Sequence, residues 1–192
     1  MSTIYIGDIA ESAGFEMTKP DEYNIGFNQT DIDRLVEAAT SDEITLTGPE
    51  RSWVYLAAAG ALLNRGVSKI SFSIPSSDLS PVVFPPAHSV SPSQLPTQPL
   101  AFDEITSGAG ISTSGPLVQD DVDKLTDYAQ RYGGEGDWEI TLTGNALPTV
   151  CIAVLGAFFE SGVNKVHFLQ SGTTVVVYQR PPHRRRAPPR RR

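Results

Sequence analysis

The hexapeptide EITLTG occurs twice, at Glu43 to Gly48 and at Glu139 to Gly144, and this repeat constrains the fold more than any other feature. At an offset of 96 (139 − 43), ITLTGPERSWVYLAAAGALLNRGVSKISF faces ITLTGNALPTVCIAVLGAFFESGVNKVHF without a gap. Beyond the shared strand, identities fall at Ala57/Ala153, Gly60/Gly156, Ala61/Ala157, Gly66/Gly162, Val67/Val163, Lys69/Lys165 and Phe72/Phe168, and the other positions are mostly apolar on apolar. PVVF at 81–84 answers TVVVY at 174–178. Upstream, TDIDRLVEAAT answers DDVDKLTDYAQ at an offset of 90, the extra residues lying in glycine-rich RYGGEGDW. Similarity sustained over that length marks a duplicated domain.

Each copy can be read twice. YNIGF and its counterpart GISTS are short, alternating and bounded by turn residues, which predicts strands. A helix follows, opened by Thr30 in one copy and by Gln119 and Asp120 in the other. Its apolar residues Ile32, Leu35, Val36 and Ala39 have the spacing of one buried face. EITLT is a strand ended by glycine. The next segment, SWVYLAAAGALLNRG or PTVCIAVLGAFFESG, is apolar nearly all round, so it predicts a helix buried between layers. Gly66 and Gly162 stand where that helix needs a residue in the left-handed region. KISFSI and KVHFLQ are strands, with PVVF and TVVVY as hairpin partners. With IYIGDIA and LAFDEI added, each copy reads β-β-α-β-α-β-β. The expectation is an α+β protein, a tandem duplication of a ferredoxin-like ββαβαββ domain forming a pseudo-dimer. The first repeat covers 1–84, a Pro-rich linker 85–100, the second repeat 101–179 and a disordered Arg/Pro-rich tail 180–192. The linker prolines at 85, 86, 92, 96 and 99 exclude helix and inner strand. About fifteen such residues reach about 45 Å, enough for the second domain to dock anywhere on the first. Tandem fusion of two like domains most often replaces a homodimer.

Charge narrows the partners. The net charge is −7, but residues 180–192 hold seven of the fifteen basic residues and no acid. The body therefore carries 8 basic against 22 acidic residues, a net of −14. An acidic body is a poor platform for a polyanion, which binds by having many phosphates neutralised. Nucleic acid is expected only through the tail, which reads equally as a remnant without function. The absence of an apolar run of membrane length and of a basic-then-apolar N-terminus points to a cytoplasmic protein with no membrane partner. Cys151, the single cysteine, lies in an apolar helical pattern and reads as an inert buried thiol.

The best local place for chemistry is the junction after the repeated strand, TLTGPERSWV and TLTGNALPTV. Strand, glycine and helix start present free backbone N–H groups, a setting suited to phosphate. Thr47, Gly48, Pro49, Ser52 and Trp53 in the first copy, and Thr143, Gly144 and Thr149 in the second, are the candidate ligand-binding residues. Trp53 stacks on a base or, more simply, packs between helix and sheet. No lysine follows as in a P-loop. His88 falls in the linker, His183 in the tail and His167 in a strand, and no Cys or His cluster suggests zinc. Asp31 with Asp33, and Asp120 with Asp121 and Asp123, are explained by helix starts without a metal.

The run ITLTGPERSWVYLAAAGALL, followed by KISF and PVVF, resembles the small CRISPR-associated ring nucleases, a one-domain ferredoxin-like family also described as manganese-dependent RNA exonucleases. The resemblance covers the element order of both repeats and rests on Gly48, Pro49 and Trp53, with Gly144 and Pro148 in the second copy. It implies a cyclic oligoadenylate bound between the domains, either cleaved or sequestered, in antiviral signalling. The family's catalytic pattern needs a histidine within the main helix and an aspartate at the end of the following strand. LAAAGALLNRG and IAVLGAFFESG contain no histidine, and Asp78 is the only acid near either strand end. The fold carries over better than the activity: the catalytic residues stay unknown, and no cofactor is expected, manganese entering only if the family's activity is kept. Three functions stay open: a binding protein for a small anionic nucleotide, a phosphodiesterase acting on the same ligand, and a structural module for a protein partner.

Overall fold

The computed structural model describes residues 2–6, 41–48, 52–74, 77–93, 98–133, 138–170 and 172–181, and the account below concerns these. The first half contributes strands β1 (Ser2–Tyr5) and β2 (Glu43–Thr47), helix α1 (Ser52–Arg65), and strands β3 (Lys69–Ser73) and β4 (Val82–Phe84). The second contributes β5 (Leu100–Ala101), helices α2 (Phe102–Gly108) and α3 (Gln119–Ala129), β6 (Glu139–Thr143), α4 (Pro148–Glu160), β7 (Lys165–Gln170) and β8 (Thr173–Gln179). The architecture is mixed α and β, with one four-stranded sheet per half.

Both sheets have the same plan. β1, β2 and β3 are parallel neighbours in chain order, and β4 returns antiparallel to β3. β5, β6, β7 and β8 repeat the order and the polarities. The repeated hexapeptide thus supplies an interior strand in each half, paired on both sides. Three parallel strands in chain order differ from the β-α-β-β-α-β plan of a ferredoxin-like domain, and this corrects the expected strand arrangement.

α1 and α4 follow the repeated strands, and both are buried nearly all round. Gly66 and Gly162 stop them at φ +84° and +87°, a conformation that costs glycine little. α3 buries Val122, Leu125, Thr126 and Ala129, the expected amphipathic stripe. Two expectations fail beside it. LAFDEI is a strand only at Leu100–Ala101 and then becomes α2, because Phe102, Ile105 and Thr106 are buried at helical spacing behind first-turn Asp103 and Glu104. GISTS, at 110–114, is not a strand; the Ser112 hydroxyl accepts from Ser114 N (3.4 Å) in an exposed turn. Local bonds of that kind compete with strand pairing. The second half therefore runs β-α-α-β-α-β-β. YNIGF at 23–27 and the helix opened by Thr30 with Asp31 and Asp33 lie outside the described residues.

The halves meet through equivalent surfaces. α1 packs on α4 and on β8, while α4 packs on β4. At Gly60 the backbone of α1 runs so close to β8 that an added Cβ would lie 2.6 Å from Val177 O. At the matching Gly156 of α4, an added Cβ would lie 3.1 Å from Phe84 Cδ2 and 3.4 Å from Val83 O of β4. Each half thus uses the same glycine to seat the other half's closing strand, as in a self-complementary twofold contact. Phe159 sits on the seam, edge-to-face with Phe84 at 5.8 Å and with Tyr178 at 6.0 Å. Buried side chains of both sheets, from Ile6 to Tyr178, join one hydrophobic core.

The described part of the linker is held in place. Gln119 accepts from Val82 N (2.8 Å) and donates to Val82 O (3.0 Å), pairing with edge strand β4 as a neighbouring peptide would. Gln130, 1% exposed, does the same to the linker, accepting from Val90 N and donating to His88 O, each at 2.9 Å. Ser93 N donates to Arg131 O at 2.8 Å, and His88 Nδ1 lies 3.2 Å from both carboxylate oxygens of Asp127. The long reach expected of a free tether is not used over 85–93.

Candidate functional site

In open α/β sheets ligands bind beyond the carboxyl ends of the parallel strands. Here those ends carry the two strand–glycine–helix turns. Thr47 Oγ1 donates to Ser73 O (3.0 Å), and Thr143 Oγ1 donates to Leu169 O (3.2 Å). Each hydroxyl proton latches the end of the repeated strand to its neighbour, and only lone pairs remain for a ligand. Gly48 and Gly144 both turn the chain at positive φ, +106° and +92°.

The remaining candidates divide. Ser52 begins α1, is 5% exposed, and accepts from Ala146 N at 3.0 Å. That bond joins the start of α1 to the turn before α4, so the two junctions, 94 residues apart in the chain, meet at one place. Trp53 is 6% exposed and belongs to the core. Thr149 is buried within α4, and Pro49 lies outside the described residues. The structure therefore brings Ser52 to the second copy's turn, and places Trp53 and Thr149 inside.

Beside this seam is a cleft of about 250 Å³ lined by Phe102, Asp103, Thr106, Thr113, Asn145, Ala146 and Leu147. It lies past the carboxyl ends of β5 and β6. Phe102 is buried in its floor against Phe168, with ring centroids 6.4 Å apart, and Leu147 and Ala146 add half-buried apolar surface. Asp103, Thr113 and Asn145 form an exposed polar rim, and their side chains make no hydrogen bond or ion pair among the described residues. The Thr106 hydroxyl donates to Asp103 O at 3.2 Å, within α2. An apolar floor with a few convergent polar groups is the usual composition of a small-molecule site. The sequence candidates Gly144 and Thr149 flank this loop, and Asn145 to Leu147 between them are not among the candidates. A signal was there: the copies agree through Gly48 and Gly144, then diverge into Pro49-Glu50-Arg51 and Asn145-Ala146-Leu147.

The neighbouring titratable groups offer little for catalysis. Burial pushes the Cys151 thiol up to about 12, only partly opposed by its hydrogen bond with Ser52, so no thiolate forms at neutral pH. His167 Nε2 lies 3.1 Å from Glu139 Oε2, and Lys165 Nζ lies 3.3 Å from Glu139 Oε1, at the opposite, amino ends of β6 and β7. The His167 hydrogen bond, and then that of Lys165, hold the Glu139 carboxyl below its ordinary value. Manganese favours a set of hard oxygen ligands. The cleft supplies one carboxylate, and among the described residues no group of three His, Cys, Asp or Glu side chains is placed to hold a metal ion. The cleft thus does not fit the metal that the resemblance brings with it. No described helix is long and apolar enough to cross a membrane.

The fold and the seam together define a class: a mixed α+β protein of two lobes, each with a four-stranded sheet of the same plan, with a cleft at the carboxyl ends of the second lobe's parallel strands. Comparison with protein-family models, with curated proteins and with solved structures returns no match.

Proposed function

We propose that this chain is a duplicated, single-chain pseudo-dimer that binds a small anionic nucleotide where its two strand–glycine–helix turns meet. Cyclic oligoadenylate is the ligand that the ring nuclease resemblance favours, with a role in antiviral signalling. The observation that carries the reading is the Ser52 to Ala146 bond, which draws the two junctions together beside a cleft. α4 begins with Pro148 at its first turn and has no side-chain cap, which leaves first-turn N–H groups for an acceptor from outside. The duplication is supported by the reciprocal seats of Gly60 and Gly156. Binding rather than cleavage is the reading, because neither α1 nor α4 carries a histidine and Cys151 is inert.

A thermal-shift titration of the full chain with cyclic tetra-adenylate, cyclic hexa-adenylate and linear controls tests this. The expected result is a rise in melting temperature with a cyclic ligand recovered intact by chromatography. Ala146→Trp, which fills the cleft, should remove the rise. No shift at millimolar ligand removes the proposal, and recovery of linear product turns the binding protein into a phosphodiesterase.

A further inference from the structure

The chemistry of the cleft says which end of such a ligand it accepts. Asp103 is the one ionised group among the lining residues. Its carboxylate repels a phosphate and can only accept hydrogen bonds. Asn145 offers a donor and an acceptor on one amide, the pair that matches the N6 and N7 edge of adenine. Half-buried Ala146 and Leu147, over the buried Phe102 ring, supply the apolar surface that a flat base covers. An apolar floor under a rim of uncharged polar groups and one carboxylate suits a heterocycle better than an isolated anion. Its volume of about 250 Å³ has room for one nucleoside and not for a dinucleotide.

We propose that the cleft holds a single purine ribonucleoside, with the Asp103 carboxylate accepting a hydrogen bond from the ribose 2′-hydroxyl and the Asn145 amide facing the base edge. This rests on the reading that the ligand is a nucleotide. In a 3′,5′-linked ring the 2′-hydroxyl is the free donor on each ribose, so a ring can place one residue here while its phosphates stay outside. Because the one charge in the cleft is negative, the phosphates lie away from α2 and toward the seam.

The test is isothermal titration calorimetry of the full chain with two probe pairs: adenosine 5′-monophosphate with its 2′-deoxy analogue, and cyclic tetra-adenylate with its 2′-deoxy counterpart. A hydrogen bond to a charged acceptor is worth about tenfold or more in affinity, so the deoxy probe should bind the wild type about tenfold more weakly. Asp103→Ala should bind both members of a pair equally, at the weaker level. Asp103 is exposed, and an unchanged melting curve for the variant confirms that its fold is intact. Equal binding of both members by the wild type, or discrimination that survives Asp103→Ala, overturns this assignment while leaving the nucleotide reading standing. Binding of neither pair overturns both.

Discussion

Gly48 and Gly144 close the same strand in the two halves, yet they meet different surroundings. Gly48 is buried. A Cβ added there would lie 2.6 Å from Tyr5 Cε2, so the tyrosine ring of β1 covers the turn. Beneath it Tyr55 donates its hydroxyl to Gly48 O and packs edge-to-face on Phe72 at 5.8 Å. In the second half the residue matching Tyr55 is Cys151, whose Sγ lies 3.8 Å from Ala146 O. Among the described residues, nothing lies within 4 Å of a Cβ added to Gly144. One turn is sealed by two tyrosines and the other is open beside a cleft. A homodimer must carry the same site twice. Two copies within one chain are free to diverge, and Tyr5 and Tyr55 at the first turn are where they do.

The seam separates the halves most strongly. Gly60→Ala would drive a methyl group to 2.6 Å from a backbone oxygen, which cannot swing aside. Gly156→Ala would press on the Phe84 ring at 3.1 Å, a side chain that must give way by only a few tenths of an ångström. Alanine gains about 1 kcal/mol over glycine inside a helix, and overpacking costs about 1–3 kcal/mol. Gly60→Ala should therefore lower stability by about 2 kcal/mol, and Gly156→Ala by less than about 1 kcal/mol, in urea unfolding. Equal losses would mean that the two seats are interchangeable. The sealed turn comes next. Tyr55→Phe leaves Gly48 O without its buried donor, at a cost of about 1–2 kcal/mol. Hydrogen exchange should quicken around the first turn and stay unchanged at Gly144. Matching changes in both turns would erase the distinction drawn between them.

Which of these features can be read from the chain alone follows from how local each one is. EITLT, the all-apolar helices and the Gly66 and Gly162 stops are set by patterns within a dozen residues, and they are where the pattern puts them. LAFDEI reads as a strand only by analogy with IYIGDIA in the other copy, and burial of Phe102, Ile105 and Thr106 against the second half's core selects the helix α2 instead. The Gln119 and Gln130 bonds reach across about 40 residues, and a glutamine on a helix carries no mark of such a partner. The site behaves likewise. Thr47, Thr143 and Ser52 are polar residues in the right place, but two latch strands and one ties the halves together. Asp103, from a different element, enters the cleft only through folding.

The smallest effect concerns the far ends of the repeated strands. Glu43 faces Lys69 at 4.0 Å, while Glu139 has Lys165 at 3.3 Å and His167 at 3.1 Å, because His167 stands where the first half has Ser71. A carboxyl held below its ordinary value when folded contributes stability above its unfolded value, and that contribution is lost as pH falls through the folded one. Glu139 meets this condition through His167 first and Lys165 second. Glu139→Gln should therefore be slightly less stable than wild type at neutral pH, with the difference shrinking through the carboxylate range and gone below it. Its exposure keeps the effect small, since solvent and salt screen such pairs. His167→Ser gives the second half the partner set of the first, and should remove most of the pH dependence that Glu139 contributes. Urea midpoints for the three proteins between neutral and acid pH measure this. If His167→Ser keeps the full wild-type dependence, the histidine is not what sets the two strand ends apart.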